Sequence, residues 1–113
     1  MVDLKSHLLY ISIMKLTVKR NLIIFHKPYD WGLLTERIKD DYGDNILLIS
    51  WRLKRELGFT VRHHKGLEPH DKDTWEMMKS EGWDKRYYYQ DQIHLDFYSE
   101  AQQTWFVLKY LNN

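Results

Sequence analysis

Four of the six histidines fall at 63, 64, 70 and 94, close in sequence to Glu68, Asp71 and Asp96. Imidazole and carboxylate together can bind a divalent ion, and neutral His is the commonest metal ligand. His64, Glu68 and His70 are the set that could do so here. Two features argue against it. Adjacent residues of a strand face opposite sides, so His63 and His64 cannot easily share one ion. There is also no H-E-x-x-H pair and no helical H-x₃₋₅-H spacing. A polar strand end running into a solvated loop is the favoured reading of these residues, and no cofactor is expected.

A second constellation depends on strand pairing. If Val61 and Leu95 both face a core, then Arg62, His64, His94, Asp96 and Tyr98 project from the opposite face of the sheet. Were the two strands neighbours, a His held by Asp96 would serve as a general base and Arg62 would hold an anion. The solvent side of an antiparallel sheet is polar by default, and sheet-to-sheet dimerisation is a third use for it. A third constellation lies in the basic run Arg52, Lys54 and Arg55. Leu47 and Trp51 fall off the apolar stripe of that helix, on the side shared with Arg55, as interface anchors do. Arg and Lys beside exposed aromatics also suit phosphate and base stacking. Glu56, four residues after Arg52, is a candidate partner for it.

Signatures of the common enzymes are missing: no G-x-G-x-x-G, no P-loop, no G-x-S-x-G. Asp40-Asp41-Tyr42-Gly43-Asp44 lacks the alternating oxygen ligands and closing Glu of a calcium loop, so it reads as a helix end followed by a cap.

The elements that would position these groups follow from periodicity. Apolar runs at 8–13 and 22–25 read as strands, separated by the basic, β-branched segment 15–20. Pro28 closes the second. Asp30 is placed as the N-cap of a helix with Trp31, Leu34, Ile38 and Tyr42 on one stripe, stopped at Gly43. Asp44 or Asn45 caps the next helix, with stripe Ile46, Ile49, Leu53 and Leu57, a stop at Gly58 and an apolar contact from Phe59. Residues 59–64 alternate as a strand, Phe59, Val61 and His63 toward the core, and 66–72 read as loop. Asp73-Thr74-Trp75-Glu76 is a capping box, opening a short helix that ends at Gly82. Residues 87–89 are strand or packed loop, and Ile93, Leu95 and Phe97 mark a half-buried strand. Ser99-Glu100-Ala101-Gln102 is another capping box and predicts a helix over 100–111, with Ala101, Trp105 and Leu108 on one face. By propensity a closing hairpin strand is the alternative there.

These elements specify a single α+β domain over 1–113: a two-layer sandwich, its antiparallel sheet of three to five strands covered on one face by helices. A ferredoxin-like arrangement is one way to connect it. Met14 offers a second translation start, which would make 1–13 an extension. At 113 residues, with 15% aromatics and 43% apolar residues, the chain suits one domain with a substantial core rather than a disordered segment. Net charge is +1, which gives no general argument for nucleic acid or membrane. The charge is uneven, with twelve Lys/Arg against seven Asp/Glu in 1–65 and five against nine in 66–113. No cysteine is present, which excludes disulfides, thiolate zinc sites and Cys nucleophiles. No membrane span or signal peptide is expected, and a cytoplasmic location fits.

The strand-to-helix pattern of 93–113 resembles the second half of an RNA-recognition-type domain, over about twenty residues. The family's RNA-binding motif (basic residue, Gly, aromatic, Gly) is absent, so the resemblance implies a local βα pattern and no function. The ending Trp105-Phe106-Val107-Leu108-Lys109-Tyr110 resembles the ends of short uncharacterised tailed-phage proteins and implies no activity. The expectation is a small non-enzymatic protein acting by self-association, as a homodimer, or by binding a macromolecular partner. Its rivals are a small-ligand site or enzyme at Arg62, His64, His94 and Asp96, and a nucleic-acid-binding module.

Overall fold

The computed structural model describes residues 14–111, so the strand expected over 8–13 and the extension 1–13 lie outside the described residues. Strand β1 (Leu16–Lys19) runs through the segment expected to be a spacer, because Thr17 and Val18 ladder against Ile24 and Ile23 of β2 (Leu22–Phe25). Between the two strands Asn21 takes φ of 59°, the left-handed turn position that Asn tolerates. Helix α1 (Pro28–Tyr42) starts earlier than expected, with Lys27 at the cap and Pro28 in the first turn, where its missing N–H costs nothing. Asp30 is therefore inside the helix, buried, and accepts the backbone N–H of Lys15 at 3.2 Å. It ties the start of β1 to α1 rather than capping.

Gly43 (φ 90°) ends α1. The following helix is not continuous: a 3₁₀ turn (Asp44–Leu48) and α2 (Ser50–Leu57) are separated at Ile49, whose backbone is extended. The apolar stripe survives the break, with Ile46, Leu53 and Leu57 buried and Ile49 half-buried. At Gly58 (φ 81°) the chain turns left-handed, and its N–H closes on the carbonyls of Leu53 and Lys54. A Cβ there would lie 2.4 Å from the Gln102 side chain, so close approach adds to the demand for glycine.

Strand β3 (Phe59–Pro69) is longer than expected. Gly66 to Pro69 stay in the ladder with β4 (Tyr87–Phe97), from Phe59 opposite Phe97 to Pro69 opposite Tyr87. Helix α3 (Lys72–Ser80) joins them at the far end. Its cap is Asp71, which accepts the Thr74 N–H at 3.1 Å, so the helix begins before the Asp73 start that the sequence favoured. Helix α4 (Glu100–Phe106) is capped by Ser99 as expected and widens into π-turns over Val107–Leu111. The inward face differs from the expected one: Gln103, Phe106 and Tyr110 are buried, while Ala101, Trp105 and Leu108 face outward.

The sheet order is β1-β2-β4-β3, with every neighbouring pair antiparallel. A ferredoxin-like sandwich needs a helix between its first two strands; here a tight turn joins them, so the connectivity is a different α+β topology. The core lies on one face of the sheet. Ile23, Phe25, Phe59, Ile93, Leu95 and Phe97 meet Leu34, Ile38, Ile46, Leu53, Leu57, Phe106 and Tyr110 from the helices. Phe59, Phe97, Phe106 and Tyr110 form a run of ring contacts at 5.1–5.5 Å, tilted or edge-on as aromatic pairs prefer.

Candidate functional site

On the face away from the helices, alternation puts Thr60, Arg62, His64, Gly66 and Glu68 of β3 beside Asp96, His94 and Gln92 of β4. The Arg62 guanidinium grips Asp96 through Nε (3.0 Å) and a terminal nitrogen (3.2 Å), and that terminal nitrogen also donates to His94 Nδ1 at 3.2 Å. His94 Nε2 then donates to Gln92 Oε1 (2.9 Å), and Gln92 Nε2 donates to Glu68 Oε1 (2.8 Å). Glu68 also takes the Lys15 ammonium at 3.1 Å and the His26 ring, whose other nitrogen meets Thr17 Oγ1 at 2.6 Å. One hydrogen-bonded row therefore crosses the whole sheet, from β1 to the outer strand. Gly66 makes it possible: a Cβ there would lie 2.3 Å from Gln92 Nε2, so the bare backbone is the floor on which the Gln92 side chain reaches Glu68.

The electrostatics follow from this row. Burial alone would push the Glu68 carboxyl up, but the bonds from His26, Lys15 and Gln92 outweigh it and hold the group below the usual carboxylate range. Burial, then the charge of Arg62, pushes His94 below the ordinary imidazole value, so its ring is neutral with the proton on Nε2. The hydrogen bond to Asp96 raises Arg62. Each polar group of the row is answered by another, so neither His94 nitrogen is left to take a substrate proton.

The expected patch is thus partly assembled. Arg62, His94 and Asp96 meet, and the His64 ring lies 4.6 Å from that of His94. Tyr98 lies beyond the end of β4 and joins another surface, beneath Lys54. His63 is exposed rather than in the core: it sits on the edge strand β3, whereas its ladder partner Ile93, on the inner strand β4, is buried. The metal set His64, Glu68 and His70 is not brought together: His64 packs on His94, Glu68 is engaged in the row, and His70 stacks on Tyr88 at 4.4 Å. Among the described residues no group of three or more His, Asp or Glu is placed to hold a metal ion. Lys15, His26 and Gln92 were not singled out from the sequence. The one available signal was Gly66, since glycine inside a strand marks a close approach.

A second surface forms around α2. Trp51 and Tyr98 are 56% and 50% exposed, and with Lys54, Arg55 and Gln102 they line a groove of about 440 Å³. Arg55 lies 4.8 Å over the Trp51 ring and Lys54 lies 4.3 Å over Tyr98. Leu47 is not part of this groove. It packs half-buried against the core and borders a depression with Thr35, Lys39 and Leu48. Glu56 pairs with Arg55 (3.3 Å), not with Arg52.

A third surface is the outer half of the β3–β4 hairpin. Leu67, Tyr87 and Tyr89 continue the core-facing side of the sheet past the helical layer and are 59%, 60% and 74% exposed. They line a groove with Trp75 of α3, Asp84, Lys85 and Arg86. No residue of α3 is buried. Among the described residues, no helix is long and apolar enough to cross a membrane. No family model, no curated protein and no solved structure matches the chain.

Proposed function

We propose that the protein is a small non-enzymatic module that works by self-association, with the outer half of the β3–β4 hairpin as the contact between two copies. The observation that carries this reading is the bare continuation of the core face at Leu67, Tyr87 and Tyr89. These side chains, which line one groove with Trp75, offer apolar surface on the order of a few hundred Å², the size of the largest patch that a monomer commonly leaves uncovered. The molecule extends 50 Å along its longest axis, and its radius of gyration is 16.4 Å. A compact chain of this length would have about 13 Å, so the arm is held out from the core rather than folded onto it.

The groove carries both signs of charge, Asp84 beside Lys85 and Arg86. A two-fold axis sets each patch against its own copy, so acid meets base on both sides without a second partner. The rival enzyme reading is disfavoured by the closed bonding of His94 and Arg62. Absence of cysteine suits a reducing, cytoplasmic setting. The C-terminal resemblance would place the chain among short phage proteins without adding an activity.

Size-exclusion chromatography with light scattering over a dilution series tests the reading. The expected result is a dimer that dissociates on dilution and becomes a monomer in Leu67→Ser/Tyr89→Ser, with the melting temperature of the monomer retained. A strict monomer at the highest concentration would sink it.

A further inference from the structure

We infer that the groove between α2 and the β4–α4 junction binds single-stranded nucleic acid, with Trp51 and Tyr98 stacking on bases and Lys54 and Arg55 taking phosphates. Nucleic acid without a fixed sequence is held by two things at once: aromatic platforms for the bases and cations that track the backbone. This groove interleaves them. Each exposed ring carries its own cation, Arg55 over Trp51 and Lys54 over Tyr98. A base settling on a ring is therefore beside the charge that its phosphate needs.

Charge complementarity separates this occupant from an ordinary protein partner. The groove is lined by two cations, two aromatics and one amide, and by no carboxylate. Lys54 pairs with no carboxylate among the described residues. Arg55 meets only Glu56, at 3.3 Å on the surface, where such a pair holds weakly. Glu100, the acid next to the groove at the start of α4, is bound to Arg20 at 2.6 Å. The Gln102 amide adds a group able to meet a base edge. The near-neutral total charge does not oppose the reading, because the groove's own lining holds Lys54 and Arg55 and no carboxylate.

The site is separate from the hairpin arm, so its test is independent of self-association. Fluorescence polarisation of a labelled oligothymidylate of about 15 nucleotides would be followed from about 50 to 200 mM salt, the range over which counterion release is read. Binding is expected, with log affinity falling against log salt at a slope of about −1.4 for two neutralised phosphates. Trp51→Ala and Tyr98→Ala should each weaken binding roughly 5- to 100-fold, the loss of one stacked base, while Trp51→Phe keeps most of it. Lys54→Ala/Arg55→Ala should remove most of the salt dependence. Both rings are half-exposed, so far-UV circular dichroism should show all variants folded. No binding at the lowest salt would overturn the proposal. So would equal binding of polyglutamate, which has charge but no bases, or unchanged affinity in Trp51→Ala/Tyr98→Ala.

Discussion

At His94 the Arg62 guanidinium occupies Nδ1 and the Gln92 amide occupies Nε2, while burial and the neighbouring charge keep the ring neutral. In the unfolded chain the same ring takes a proton below about pH 6.5. The native state binds fewer protons there, so the contribution of His94 is complete above that pH and is lost as pH falls toward the lower native value. The melting temperature should therefore drop between about pH 7 and pH 5, and His94→Gln should flatten that slope. An unchanged slope in the variant would show that the row does not hold the ring neutral. Glu68 acts with the same sign at lower pH: its folded value is depressed, so its contribution is lost as pH falls below the ordinary carboxylate value of about 4.3. Gly66 tests the row without altering charge. Gly66→Ala must displace the Gln92 amide and leave Glu68 and His94 each short of a partner, at a cost of roughly 1–3 kcal/mol. In Gln92→Ala the same alanine should cost much less, and denaturant titration of the four proteins reads that coupling.

Among the elements, α4 is held by one polar side chain as much as by its apolar face. Gln103 accepts the Asn21 N–H at 2.8 Å and donates to the carbonyls of Lys19 (2.7 Å) and Leu22 (3.1 Å), so it fastens the helix to the β1–β2 turn. Gln103→Leu keeps the volume but orphans these backbone groups. A loss of roughly 2–3 kcal/mol in urea unfolding is expected, and a loss near zero would mean that water replaces the amide. This contact also shows where sequence reading stops. Helix starts and stops at Gly43, Gly58, Ser99 and Gly82, and the alternation of Ile93, Leu95 and Phe97, were legible because capping and periodicity are local. The inward face of α4 was not, because Gln103 is buried by partners about eighty residues away. Likewise, alternation assigned Arg62, His94 and Asp96 to one face. It could not show that Gln92 lies along the strand to reach Glu68, since a period of two gives the side of a residue and not its reach. The break at Ile49 was hidden for the opposite reason: a 3₁₀ turn keeps nearly the same apolar spacing as the helix it replaces.

For the whole molecule, the uneven covering of one sheet is the governing fact. The helices seal the face from Phe59 and Phe97 to Ile93 and leave it bare from Leu67 outward. Amides of the outer hairpin should exchange with solvent faster than those of 93–97 in a monomeric variant, and slow markedly at concentrations where the dimer forms. Equal protection at both ends would mean that the arm is stable without a partner. The Gln103 fastening carries a further consequence, one of timing. Two four-residue strands joined by a tight turn are marginal alone, and here their partner strand β4 and their clasp both come from the last quarter of the chain. On a ribosome, the β1–β2 pair would emerge well before β4 and wait without it while the residues between Phe25 and Tyr87 are made. Of the described strands, the first two to be made are therefore among the last to be secured.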